Sequence, residues 1–103
     1  MKPPAQKHAQ AYPSARKIRR SCNNELYRTV KRMKAYVSKE KMDAAEKLYF
    51  QKVIQNLPWI VENKDNRKAQ ADWWEDNLSA EIAELLGVDR IKLAQAFRDA
   101  YGG

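Results

Sequence analysis

At 103 residues the chain has room for one small domain, or a domain and a tail, burying only ~60–65% of its unfolded surface. One cysteine excludes an internal disulfide, and the longest uncharged apolar run, Leu57-Pro58-Trp59-Ile60-Val61, falls far short of the ~20 residues that cross a bilayer. The net charge of +7 is segregated: residues 1–41 hold twelve Lys/Arg against Glu25 and Glu40, net +10, whereas residues 42–103 hold eight against eleven acids, net −3.

Residues 1–13 carry three of the four prolines and no Val, Ile, Leu or Phe, which predicts a disordered basic arm. Met1-Lys2-Pro3-Pro4 leads into polar sequence with no apolar stretch, so no secretory signal is expected; the expected location is cytoplasmic, with nucleoid association as an option. Residues 14–103 read as a single helical domain. From Ser14 the pattern turns helical: Ile18, Cys22, Leu26, Val30, Met33 and Val37 form one stripe, and Asn23-Asn24 offers a later start before Glu25. Ser38 predicts the cap of a second helix, Lys39 to about Asn56, with Met42, Ala45, Tyr49 and Val53 facing inward. Pro58 ends or restarts that helix, and Trp59, beside Ile60 and Val61, is assigned to the core. Asn63 to Asn66 read as a turn, with Asn66 capping a third helix to about Asn77.

No stretch alternates as a strand does, so the predicted class is all-α, a small bundle of four to five helices. Trp73 and Trp74 are neighbours in the third helix and point ~100° apart. One reading places one inward and the other at a protein or dimer interface, so both are candidate interface residues; the other has both half-buried around a small core.

The last segment is the most informative. Ser79 is a cap for a helix with Ile82, Leu85 and Leu86 on its apolar face. Gly87 stands at a left-handed C-terminal position, Val88 follows it, and Asp89 caps a final helix carrying Ile91, Leu93, Ala94 and Phe97. With small Ala83 four residues before Gly87 and Leu93 six after it, residues 78–100 resemble the helix-turn-helix family of DNA-binding proteins. The resemblance covers about twenty residues and implies a positioning helix, Ala80–Leu86, and a recognition helix, Arg90–Ala100. It further implies that Arg90, Lys92 and Gln95 project toward base edges. The sequence departs from that picture in one respect: residues 71–103 are net −4, which opposes phosphate approach, and the same pattern also encodes a purely structural hairpin.

The basic half points to a polyanion. Arg16, Lys17, Arg19, Arg20, Arg28, Lys31 and Arg32 are the candidate phosphate contacts, and DNA is favoured over RNA. Tyr12, Tyr27 and Tyr36, interleaved with these cations, fit either base stacking or packing at the end of a bundle. Chemistry is not expected. His8 and Cys22 make no metal set, and Cys22 has no histidine base beside it. The pairs Glu75/Asp76 and Glu81/Glu84 read as solvated faces, and no glycine-rich phosphate loop occurs. The sequence therefore predicts a non-enzymatic nucleic-acid-binding protein without metal or cofactor. The alternative is a protein-interaction module that docks on a larger protein or ribonucleoprotein.

Overall fold

A computed structural model describes residues 12–102. The arm read over residues 1–13 therefore lies outside the described residues, save for Tyr12 and Pro13. Six helices occupy the described part: α1 (Ala15–Met33), α2 (Lys39–Gln55), α3 (Leu57–Glu62), α4 (Arg67–Asn77), α5 (Ser79–Leu86) and α6 (Arg90–Tyr101). The sixth arises because Pro58 restarts the chain in a short helix, sitting in its first turn where no amide hydrogen is needed.

Local chemistry sets most of the boundaries. The Ser14 hydroxyl accepts the Lys17 amide, Ser38 accepts that of Lys41, Asn66 that of Ala69 and Asp89 that of Lys92. Helix α1 runs unbroken through Asn23-Asn24, correcting the later start. Burial of Ile18, Cys22 and Leu26 on one stripe outweighs the weak helix preference of two asparagines. Val37 falls outside α1, because Lys34 turns left-handed at φ 57° and ends the helix; Val37 then packs half-buried against the core from the connecting loop.

Ser79 does not cap α5. Its hydroxyl donates back to the Glu75 carbonyl at 2.6 Å and accepts Arg90 Nε at 3.0 Å, so α4 and α5 are separated only by a bend at Leu78. The end of α5 follows the sequence closely. Gly87 adopts φ 71°, its amide bonds the Glu84 carbonyl, and the Val88 amide bonds that of Ala83, closing the helix with a paired left-handed cap. A Cβ on Gly87 would meet only Lys41 Nζ at 3.8 Å, so the cost of a side chain there is conformational rather than steric. Gly87→Ala is expected to lose about 1 kcal/mol in a urea titration. Lys34→Gly, which relieves the same strain at the end of α1, is expected to gain about 0.5 kcal/mol.

Helix α1 packs most extensively on α6, α2 packs on α1 and α5, and α4, α5 and α6 contact one another pairwise. The core they enclose centres on Leu26, Trp74, Leu78, Ile82, Leu93 and Phe97. Trp74, at 1% exposure, lies parallel to Phe97 with centroids 4.0 Å apart and meets Tyr49 edge-on at 6.2 Å. No helix among the described residues is long and apolar enough to cross a membrane.

Candidate nucleic-acid interface

The inner stripe of α1 is buried, so its remaining surface is fixed by default. Arg16, Arg20, Tyr27 and Lys31 follow one another at i, i+4, i+11 and i+15 along the outer face, flanked by Lys17 and Arg28, and all are exposed. Nineteen residues make this ridge about 28 Å long. The only acid on α1, Glu25, is turned inward and accepts the Tyr49 hydroxyl. The ridge therefore presents cations and one tyrosine, 60% exposed, with no exposed carboxylate of its own.

Elsewhere among the described residues four cations are paired, whereas Lys34, Lys41, Lys47, Lys64, Arg67, Arg90 and Lys92 are not. Lys39, Lys52, Lys68 and Arg98 are engaged by Asp43, Glu81, Asp72 and the Asp72/Glu75 pair, respectively. Arg98 spans Asp72 at 2.7 Å and Glu75 at 2.8 Å, which holds the Asp72 carboxyl below the usual carboxylate range. Among the described residues, Arg16, Lys17, Arg20, Arg28, Lys31 and Arg32 enter no ion pair. Arg28, Lys31 and Arg32 line one recess beside Ala100, with no carboxylate in its wall. Arg19 is placed differently: its guanidinium sits over the Phe50 ring at 4.7 Å, on the side facing α2.

The candidate base-reading residues of α6 occupy its first turns. Arg90, Lys92 and Gln95 are all exposed, as is Ile91, at 78%, which corrects the inward face that the apolar pattern of α6 predicts for it. Arg90 donates to Ser79, and Gln95 donates to Asp99 at 3.0 Å. Glu75 shares the groove between α4 and α6 with Arg90 and Gln95. Arg90 lies ten residues, about 15 Å, from Ala100, so the structure does not gather the α1 recess and the start of α6 at one point.

The two tryptophans also separate. Trp74 is sealed in the core and offers no interface surface. Trp73 is half-buried and stacks on Trp59 with centroids 6.3 Å apart. Trp59 itself is 37% exposed, a correction to its placement in the core: α3 has no fully buried residue, because one turn and a half cannot reach across the bundle.

The Glu25–Tyr49 contact was not foreseen, although its signal is present in the sequence. Glu25 lies three residues after Cys22 and seven after Ile18, on the inner stripe. Burial pushes its carboxyl above the usual range; the Tyr49 hydroxyl and the charges of Arg67 and Arg28 act in the opposite direction. Because the folded value is raised, Glu25 contributes stability below the ordinary carboxylate range and loses it as pH climbs through the folded value. Glu25→Gln keeps an acceptor for Tyr49 and removes the titration. Its melting temperature is expected to gain on the native chain as pH rises above the ordinary glutamate value; a constant offset would contradict the sign.

No group of three His, Cys, Asp or Glu suited to a metal occurs among the described residues. No family model, curated protein or solved structure matches the chain. The candidate interface therefore stands on its geometry and charge.

Proposed function

We propose that this protein binds nucleic acid through the outer face of α1, gripping the phosphate backbone without catalysis. The observation that carries the reading is the recess formed by Arg28, Lys31 and Arg32, free of carboxylates and continuous with Lys17, Arg20 and Arg16 along one helix. Cations unpaired within the protein release counterions when they meet phosphates, and that release drives sequence-independent affinity. Duplex DNA is the favoured target, since a straight helix tracks a regular backbone more readily than an irregular fold.

The α5–α6 hairpin, with its resemblance to helix-turn-helix proteins, has a secondary part in this reading. Arg90 and Gln95 already spend donors on Ser79 and Asp99, and Glu75 opposes a phosphate beside them. Base reading and a regulatory role would require those contacts to be exchanged for base edges. Ile91 and the stacked Trp59–Trp73 pair favour a second reading, docking on a larger protein, because both leave apolar surface in solvent.

Fluorescence anisotropy with a labelled duplex at several salt concentrations tests the proposal. The six unpaired cations of the α1 face can contribute about −5 to the slope of log affinity against log salt, and a slope on the order of −3 to −5 is expected if that face carries the binding. Affinity that ignores salt, or no binding at low salt, would end the reading.

A further inference from the structure

The unpaired cations of α1 fall into two groups. Arg16, Lys17 and Arg20 form the first and Arg28, Lys31 and Arg32 the second, and the seven residues between Arg20 and Arg28 carry no cation. The gap from Arg20 to Arg28 is about 12 Å of helix. An even grip along a continuous backbone does not call for such a break.

The second group also differs in kind, because aromatic rings accompany it. Tyr27 adjoins it, 60% exposed, with Lys31 Nζ 5.8 Å from the ring. Tyr36 is 93% exposed and lies three residues past the end of α1, so no more than about 11 Å beyond it. Neither ring packs against the core. Arg28, Lys31 and Arg32 form the recess beside Ala100, and Lys34, which enters no ion pair, stands between the two tyrosines in sequence. The first group has no comparable ring. Tyr12, at its end of the helix and 50% exposed, lines a cavity of about 570 Å³ bounded by residues of α1, α2, α3, α4 and α6.

A continuous duplex keeps the faces of its bases inside the stack, so it offers phosphates to both groups and nothing to the rings. An unpaired strand offers both, since every base has a π-face on which an aromatic side chain stacks whatever the sequence. We infer that α1 binds a junction at which a duplex opens into a single strand, the first group holding duplex phosphates and the second, with Tyr27 and Tyr36, holding the unpaired strand. The inference rests on the proposed grip of α1 on nucleic acid and adds the form of the target and a direction along the helix. The two tyrosines set specificity: stacking adds affinity only where a base is free, whereas the cations act on any backbone.

Fluorescence anisotropy of the full chain tests this with a duplex carrying about six unpaired nucleotides at its 5′ end, a second carrying them at its 3′ end, the blunt duplexes in which those tails are paired, and the tails as single strands. At least one tailed duplex is expected to bind about tenfold more tightly than its fully paired form, which has more phosphates, and more tightly than its tail alone. Tyr27→Ala with Tyr36→Ala is expected to reduce that advantage to less than about twofold while blunt-duplex affinity stays within about twofold of the native chain. Tyr27→Phe with Tyr36→Phe, which keeps both rings, is expected to retain the advantage. Both positions are exposed, so neither pair should move the melting temperature far. The inference is overturned if neither tail improves binding, if the alanine pair keeps the advantage, if the phenylalanine pair loses it, or if a tail alone binds as tightly as the tailed duplex. Salt-dependent binding of the blunt duplexes with no gain from either tail sinks the junction alone; no binding of any probe at low salt removes the grip on nucleic acid with it.

Discussion

Trp74→Ala is expected to cost about 3 kcal/mol, the low end of the range for removing a buried tryptophan. Trp74 joins three helices: its ring lies flat on Phe97 of α6, meets Tyr49 of α2 edge-on and belongs itself to α4. Alanine would strip that contact and enlarge the adjoining cavity, which argues for a large loss. It would also remove an indole N–H that has no acceptor among the described residues, a burden of about 1–3 kcal/mol, which argues for a smaller one. For a domain of this size that corresponds to a fall in melting temperature of about 15 °C. Trp74→Phe separates the two contributions. It retains an aromatic ring and drops the N–H, so a loss below about 1 kcal/mol is expected. If phenylalanine proves as damaging as alanine, the N–H makes a hydrogen bond whose loss outweighs its burial.

That opposition shows where sequence reading reaches its limit. Ser38, Asn66, Gly87 and Asp89 were legible because each acts on the backbone within three or four residues, a range that the sequence spells out directly. The all-α class was legible for the same reason, since helical periodicity is local. Ser79 had the right residue type for a cap, but the chain reaches it already helical from α4, and its hydroxyl turns back to Glu75. Ile91 matched the apolar register of α6, yet nothing packs on that side of its first turn. Which of Trp73 and Trp74 would be buried depended on the position of α6, and the cavity depended on how five helices fail to close over one another. None of these is a property of a stripe.

The candidate interface was half legible. Counting cations located the basic end, but not which of them the fold would neutralise. The structure divides them physically: Arg98 is clasped by two carboxylates, Arg19 lies on Phe50, and the outer face of α1 is left uncompensated. Turning Glu25 inward is what keeps that face free of acid. Had the acid fallen two positions later, it would have stood on the ridge in place of Tyr27, which is 60% exposed. Fold and charge distribution are thus settled by the same register.

Arg20→Glu combined with Lys31→Glu is therefore expected to reduce duplex affinity by about 100-fold at low salt. The substitutions stand on the outer face of α1, eleven residues or about 16 Å apart, so they interrupt the ridge at two points. Each removes a phosphate contact and adds a repulsive charge, so the salt slope should fall by at least about two units. Folding should be nearly unaffected, because both side chains are exposed and neither takes part in an ion pair among the described residues. Lys31 does lie 5.8 Å from the Tyr27 ring, a contact worth about 0.5–1 kcal/mol at an exposed site, which sets the size of any loss in stability. The paired control, Arg90→Glu with Lys92→Glu, reverses as much charge at the start of α6. If the grip lies on α1, the control should lose far less affinity than the ridge variant. Equal losses would show that only net charge matters, and a larger loss in the control would move the interface to the α5–α6 hairpin.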